Sequence, residues 1–340
     1  MPIDLRSDTI TRPTPGMLTA MMNAEVGDDV FGEDPTVKTL EDKAASILGM
    51  QSGLFCPSGT MTNQIAIRIL TEPQDEVICD ARSHIYNYEG GGIAYNSLVS
   101  TQLVFGEKGK ITPQMVSDHI KPDNVHFPRT RLVALENTVN KGGGSIYRLE
   151  EIKSIHKLCA DHGLKMHLDG ARLFNALAET GEDPSEYGKY FDTISICLSK
   201  GLGAPVGSVL LMHGSLLKKA QRVRKVLGGG MRQAGYLAAA GIYALDHHIN
   251  RLTEDHSRAK KIADVLSELS WVAAVTPPES NIIIFSLVPD IDPAEFLLQL
   301  KKTGILAVSF GGQDIRLVTH LEFSDDDLRL FEEKIRKMGI

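Results

Sequence analysis

Leu149-Glu150-Glu151-Ile152-Lys153-Ser154-Ile155-His156-Lys157-Leu158-Cys159-Ala160-Asp161-His162-Gly163-Leu164-Lys165-Met166-His167-Leu168-Asp169-Gly170-Ala171-Arg172 decides the fold. Leu149, Ile152, Ile155 and Cys159 recur on one helical face, and Gly163 stops the helix. A strand follows at once from Leu164 to Leu168, and Asp169-Gly170 supplies turn chemistry at its end. Helices handing directly to strands build a mainly parallel sheet covered on both faces. The pattern predicts an α/β chain.

The same grammar extends outward. Asp34 as N-cap and Pro35 at the first helical position open a helix with Val37, Leu40, Ala44 and Ile47 on one face, and Gly49 ends it. Thr112-Pro113 opens another. Phe191 to Leu198 is short, β-branched and mostly apolar, a buried strand running into Ser199-Lys200-Gly201-Leu202-Gly203. Tyr236 to Leu245 reads as a core helix continuing to about Leu252. Beyond it, Asn281–Phe285, Leu306–Ser309 and Ile315–Val318 read as strands, with helices near 293–303 and 325–338. This predicts an N-terminal arm and large domain over 1–250 and a small α+β domain over 251–340.

Composition narrows the function. With 340 residues, 42% hydrophobic, there is apolar material for a large core. A net charge of -7 gives no electrostatic reason to bind nucleic acid or an anionic membrane. No apolar run approaches the ~20 residues that span a bilayer. Cys56, Cys79, Cys159 and Cys197 form no CxxC pair, which predicts reduced thiols in a cytoplasmic protein. The eleven histidines have no zinc-like spacing with cysteine or carboxylate. Asp28, Asp29, Glu33 and Asp34 lack the spacing and closing glutamate of a calcium loop, so no metal is expected.

Three local features carry chemistry. Lys200 lies where a strand gives way to a glycine turn, and a poorly solvated lysine amine there is a usable Schiff-base nucleophile. Asp169, at the carboxyl end of a parallel strand, points into the crevice where open α/β sheets bind ligands. It could equally cap the helix near Ala171. Pro57-Ser58-Gly59-Thr60 opens an apolar helix whose free N–H groups and positive dipole end make an anion site, although plain capping explains Ser58 as well. No Walker or dinucleotide glycine spacing is present, which leaves a nicotinamide dehydrogenase unsupported.

Anion turn, carboxylate and lysine, in this chain order, resemble the fold-type I pyridoxal-phosphate enzymes. Nearly the whole chain is similar to the low-specificity L-threonine aldolases. The stretches that match are Asp4–Thr9, Val26–Thr36, Pro57–Met61, Ser83–Ile85, His126–Thr130, His167–Arg172, Leu198–Gly201, Leu227–Gly235 and Ile315–His320.

The resemblance implies pyridoxal 5'-phosphate as cofactor, Schiff-based to Lys200. It implies Ser58, Gly59 and Thr60 at the phosphate, Asp169 at the ring nitrogen and His84 stacked on the ring. Arg172 and Arg316, one from each domain and assisted by Ser7, would clamp the substrate α-carboxylate. His126 would sit near the substrate hydroxyl, and either His84 or His126 would be the base. Lys225 and Arg232 would reach across a subunit interface to a neighbour's cofactor phosphate, in a homotetramer with active sites between subunits. The implied activity is retro-aldol cleavage of L-threonine and L-allo-threonine to glycine and an aldehyde, with strict choice at Cα and modest choice at Cβ. A serine hydroxymethyltransferase, an aminotransferase or a β-eliminating lyase would share Asp169 and Lys200. A regulatory protein keeping the fold without catalysis would not need the intact lysine, carboxylate and arginines.

Overall fold

A computed structural model of the chain describes residues 2–338. Seven strands form the large sheet: β1 Ser52–Cys56, β2 Asp75–Asp80, β3 Ser100–Val104, β4 Arg129–Glu136, β5 Lys165–Gly170, β6 Thr193–Cys197 and β7 Ser208–Met212. Their order is β1-β7-β6-β5-β4-β2-β3. Only β7 runs against the rest, because it is antiparallel to both β1 and β6 while the other pairs are parallel. Helices cover both faces: Leu40, Ile152, Ile155 and Ala240 pack on one side of the sheet, and Ile65, Ile67 and Ile69 join the separate cluster on the other.

A second, antiparallel sheet comprises β8 Val272–Thr276, β9 Ile282–Leu287, β10 Val308–Gly311 and β11 Asp314–Val318, in the order β10-β11-β9-β8. Its core includes Trp271, Phe285, Phe296 and Phe331. The chain's beginning joins this cluster. Ile3–Asp4 pairs in parallel with Ile305–Leu306, and Ile3 and Leu5 are buried beside Ile305 and Leu317.

Several boundaries differ from the sequence reading. The helix Pro35–Ile47 starts as expected, with Asp34 Oδ1 accepting from Val37 N at 3.0 Å. β5, however, runs through Asp169 and Gly170, because these residues pair with Ser195 and Ile196 of β6 rather than forming a turn. The helix Gly235–His247 stops short of Leu252, where a separate helix, Leu252–Ser267, begins. His248 Nδ1 lies 2.7 Å from the carbonyl of Leu202, which ties the break to the loop after Lys200. The expected strand Leu306–Ser309 is two: Ile305–Leu306 serves the N-terminal strand, and Val308–Gly311 serves the small sheet. Propensity marks extended residues but not their partners. No helix among the described residues is long and apolar enough to cross a membrane.

Candidate active site

The carboxyl ends of β4, β5 and β6 deliver Glu136, Asp169 and, three residues beyond Cys197, Lys200. The segment after β2 brings His84, and the segment after β1 forms the Pro57–Thr60 turn. All five strands point the same way, so these groups converge on one rim of the sheet, as ligand sites of open α/β sheets do. A cleft of 320 Å³ there is lined by Ser7, His84, Arg172, Lys200 and Arg316 together with Tyr88, Asn140, Lys141, Val308 and Phe310.

Asp169 is 3% exposed and held from two sides. Asn63 Nδ2 donates to its Oδ2 at 2.9 Å, and the Ala171 amide donates to Oδ1 at 3.2 Å. Asn63 also donates to Glu89 Oε1 at 2.8 Å, while its own carbonyl oxygen lies 3.1 Å from His167 Nε2. Burial drives the His167 pKa down to about 4, so the ring is neutral. Its Nδ1, 2.8 Å from Thr193 Oγ1, then accepts from that hydroxyl while Nε2–H donates to Asn63. One side-chain orientation satisfies the whole chain of bonds.

His84 Nδ1 lies 2.9 Å from Glu89 Oε1. A carboxylate only accepts, so Nδ1 donates and Nε2 is left as the basic nitrogen. Burial pulls the imidazole pKa down, but the Glu89 hydrogen bond and the negative charges of Asp169 and Glu89 outweigh it and raise the value overall. His84, Glu89 and Asp169 also lie close enough to hold a metal ion. Asn63 already bonds both carboxylates, and no other metal ligand set joins them among the described residues.

Glu136 joins the two halves of the cleft. Its Oε2 accepts from the backbone N–H of His84 and its Oε1 from that of Asn140, both at 2.8 Å. Asn140 Oδ1 in turn accepts from Arg316 Nη1 at 2.9 Å. Burial and the charge of Asp169 push the Glu136 pKa from its ordinary 4.5 to about 7. The folded state therefore holds a proton that the unfolded chain has released, and this contribution to stability falls as pH rises across that window. Glu136→Gln should flatten the fall in stability between about pH 5 and about pH 8 by on the order of 2 kcal/mol. Denaturant titrations across that range check the slope; parallel profiles for both proteins would show that Glu136 does not titrate there.

Both expected arginines reach the cleft, each already bonded within the protein. Arg172 lines the cleft, but its fork is already occupied: Nε and Nη2 each donate to Asp8 at 2.7 Å. Asp8 is fully buried, and it also accepts from Asn281 at 3.3 Å. Burial would raise the Asp8 pKa, yet the Arg172 charge and hydrogen bonds, with Lys200 and Asn281, hold it far below the usual carboxylate range. The bidentate partner of Arg172 is thus an internal carboxylate, leaving Nη1 for any ligand. Arg316 does not pair with Asp314, whose Oδ1 takes the Ser286 hydroxyl. It donates to Asn140 and, at 3.1 Å, to the Arg6 carbonyl, and its Nε is buried with no acceptor among the described residues.

Ser7 lines the cleft from the N-terminal arm, and Thr11 Oγ1 fastens that arm to the Lys200 carbonyl at 3.1 Å. Ser58 caps the helix Gly59–Leu70, accepting from Met61 N at 3.2 Å, and leaves the Gly59 and Thr60 amides unused by the helix. A Cβ on Gly59 would stand 2.6 Å from Cys197 Sγ, so any larger residue there would force that thiol to shift.

Three expected residues lie outside this chain's cleft. Lys225 and Arg232 are exposed, flanking a loop whose Gly229 packs on Met61, and Arg232 pairs with Asp28 at 2.7 Å. His126 is exposed on the loop that precedes β4, beside Phe127 and Arg129, at the opposite end of the strand from Glu136. An eight-residue strand covers roughly 26 Å, so His126 cannot be the base for the cleft of its own chain. Of the acidic loop, Asp34 is absorbed as a helix cap, and Asp29 pairs with Arg224 at 3.0 Å.

Asn63, Gln64, Glu89, Glu136 and Asp8 were not found by sequence reasoning. A signal existed for two places. Asn63-Gln64 is a polar pair inside an otherwise apolar helix, and Glu136 ends a strand as Asp169 does.

A lysine, a buried carboxylate and an open helix N-terminus at the carboxyl rim of one sheet define the fold-type I pyridoxal-phosphate enzymes. The beta-eliminating lyase family profile matches residues 4–288. The low specificity L-threonine aldolase of Escherichia coli K12 is 42% identical over 327 residues, covering 96% of each chain. Low-specificity L-threonine aldolase 1 of Arabidopsis thaliana is 39% identical over 333 residues, covering 96% of this chain and 93% of its own. The solved threonine aldolase of Leishmania major superposes with a TM-score of 0.85 at 22% identity, covering 98% of this chain and 99% of its own, and shares the fold. The chain belongs to the low-specificity L-threonine aldolases of the beta-eliminating lyase family.

Its cofactor is pyridoxal 5'-phosphate, and the donor set fits that group: an amine, a carboxylate wired through Asn63, an imidazole and free helix amides.

Proposed function

We propose that the protein cleaves L-threonine, L-allo-threonine and related L-β-hydroxy-α-amino acids to glycine and an aldehyde. The observation that carries this reading is the meeting of Lys200, His84 and Arg316 in one cleft, with Asp169 close to His84. Lys200 would hold the cofactor, with Asp169 at its ring nitrogen and Ser58, Gly59 and Thr60 at its phosphate. When bound, pyridoxal phosphate supplies an electron sink for the bond pair released at Cα.

The protein's own part is to bind, align and move protons. Arg316 has a buried Nε without an acceptor, and with Ser7 and the remaining Nη1 of Arg172 it can take the substrate α-carboxylate. Fixing that carboxylate sets which bond at Cα stands ready to break, and choice among bonds follows from alignment. His84, its Nδ1–H committed to Glu89, offers Nε2 to the β-hydroxyl proton, within the cleft or through one water. As the Cα–Cβ bond parts, the hydroxyl oxygen becomes the aldehyde carbonyl, and Cα regains a proton before glycine leaves. One imidazole can meet a hydroxyl of either configuration, so choice at Cβ should be modest.

The assembly and its setting form part of the same reading. Phe31 and Val226 are 73% and 86% exposed beside Arg232 and Lys225. Such an apolar, basic surface supports a homotetramer in which these cations serve a neighbour's phosphate, and where His126 could act only on a neighbour's site. A large domain over 1–250, a small one over 251–340 and a cytoplasmic setting complete the proposal. Incubating the pyridoxal-loaded protein with L-threonine, L-allo-threonine and D-threonine tests the activity. Acetaldehyde and glycine should form from both L-epimers and not from the D-form; keto-acid or ammonia release instead would favour an aminotransferase or a β-eliminating lyase.

A further inference from the structure

The cleft holds one cation that threonine cleavage does not use. Among the described residues, no carboxylate lines it. Arg172 is neutralised by Asp8, while Arg316 and Lys200 have roles in the reading above. Lys141 has none, and it has no acidic partner among the described residues. Its Nζ stands 4.0 Å from the ring centroid of Phe310 and 5.8 Å from that of Tyr88, donating to the Phe310 carbonyl at 3.4 Å. Arg316 faces the same Phe310 ring from 5.6 Å. The two cations thus share one wall. They are also linked through the chain, since Asn140, the neighbour of Lys141, accepts from Arg316.

The turn carrying Lys141 is closely packed. A Cβ on Gly142 would meet the Lys108 carbonyl at 1.9 Å, and one on Gly144 would meet Ser280 Oγ at 2.3 Å. The ammonium is therefore presented from a fixed backbone, partly stripped of water by two aromatic rings. A cation over a ring is held less strongly than one paired with a carboxylate, so it remains available to an anion. A methyl group on the substrate's β-carbon offers it nothing.

We propose that the cleft also accepts β-hydroxy-α-amino acids bearing a carboxylate on the β-carbon, with Lys141 recognising that second carboxylate while Arg316 holds the first. This rests on the retro-aldol reading. The smallest such substrate, 3-hydroxyaspartate, adds only two heavy atoms to threonine. The chemistry balances without a further reactant. The β-hydroxyl loses its proton, the Cα–Cβ bond breaks with its pair passing to Cα, the oxygen becomes the carbonyl of glyoxylate, and a proton returns to Cα to give glycine.

The test uses the pyridoxal-loaded full chain with L-threonine and L-3-hydroxyaspartate, comparing wild type, Lys141→Met and Lys141→Arg. Wild type should release glyoxylate and glycine from 3-hydroxyaspartate. Lys141→Met should lower kcat/KM for it by about 10- to 100-fold, chiefly through KM, with threonine changed less than about threefold. Lys141→Arg should restore most of the loss, and raising salt should raise KM for 3-hydroxyaspartate selectively. Threonine cleavage without any glyoxylate from 3-hydroxyaspartate would overturn the proposal, as would equal losses on both substrates in Lys141→Met. Inactivity of wild type on both would instead overturn the retro-aldol reading, and this inference with it.

Discussion

Lys200→Ala is expected to lose at least about 10³-fold in kcat for aldehyde release, because covalent attachment of the cofactor and its exchange with the substrate amine depend on that one Nζ. The fold should survive. Lys200 lies in a turn at the rim of the cleft, and its backbone carbonyl, which accepts from Thr11, remains in place. Borohydride should fix pyridoxal to the wild-type chain and leave the variant unlabelled, while far-UV circular dichroism and thermal midpoints stay alike. Turnover near the wild-type rate would falsify the role given to Lys200. A loss confined to KM would reduce Lys200 to a binding group.

Asp8→Ala should produce the largest loss of stability among the site residues, about 3–5 kcal/mol, since it strands the Arg172 guanidinium without its partner in a buried place. Both groups are nearly inaccessible, Asp8 at 0% and Arg172 at 7% exposure. The same pair sets an acid limit. Asp8 has a folded pKa held below its ordinary 3.8, so its contribution is complete above that value and is lost as pH falls through the folded value. Urea titrations at neutral pH measure the first effect, and unfolding below about pH 4 measures the second. Asp8→Asn, which keeps an acceptor but not the charge, should fall between. A variant within about 0.5 kcal/mol of wild type would mean that Arg172 finds another anion, and the substrate carboxylate would be the first to consider.

Both expectations turn on residues that the sequence treated unequally. Lys200 and Asp169 were legible because each stands near the carboxyl end of a short apolar strand, and that end of a parallel strand is a place as well as a pattern. Arg172 was legible as a cation in the right stretch, but not its partner, which stands 164 positions earlier. Glu89 and Asn63 were silent for the same reason. Their meaning lies in one hydrogen bond to each other and one each to Asp169 and His84.

Periodicity and turn chemistry by themselves determined the alternation of helices and strands, the caps at Asp34 and Ser58, and three of the groups at the sheet's rim. These are local properties, written within one or two helical turns. Only the tertiary structure decided which strands pair, and so that β5 runs on through Gly170, that Ile305–Leu306 belongs to the N-terminal arm, and that His126 faces away from Lys200. It also decided that Arg172 answers to Asp8 and that Lys141 answers to no acid among the described residues. Such pairings depend on distances between segments far apart in the chain. Burial then turns an ordinary charge into one that must be matched, by the protein or by what it binds.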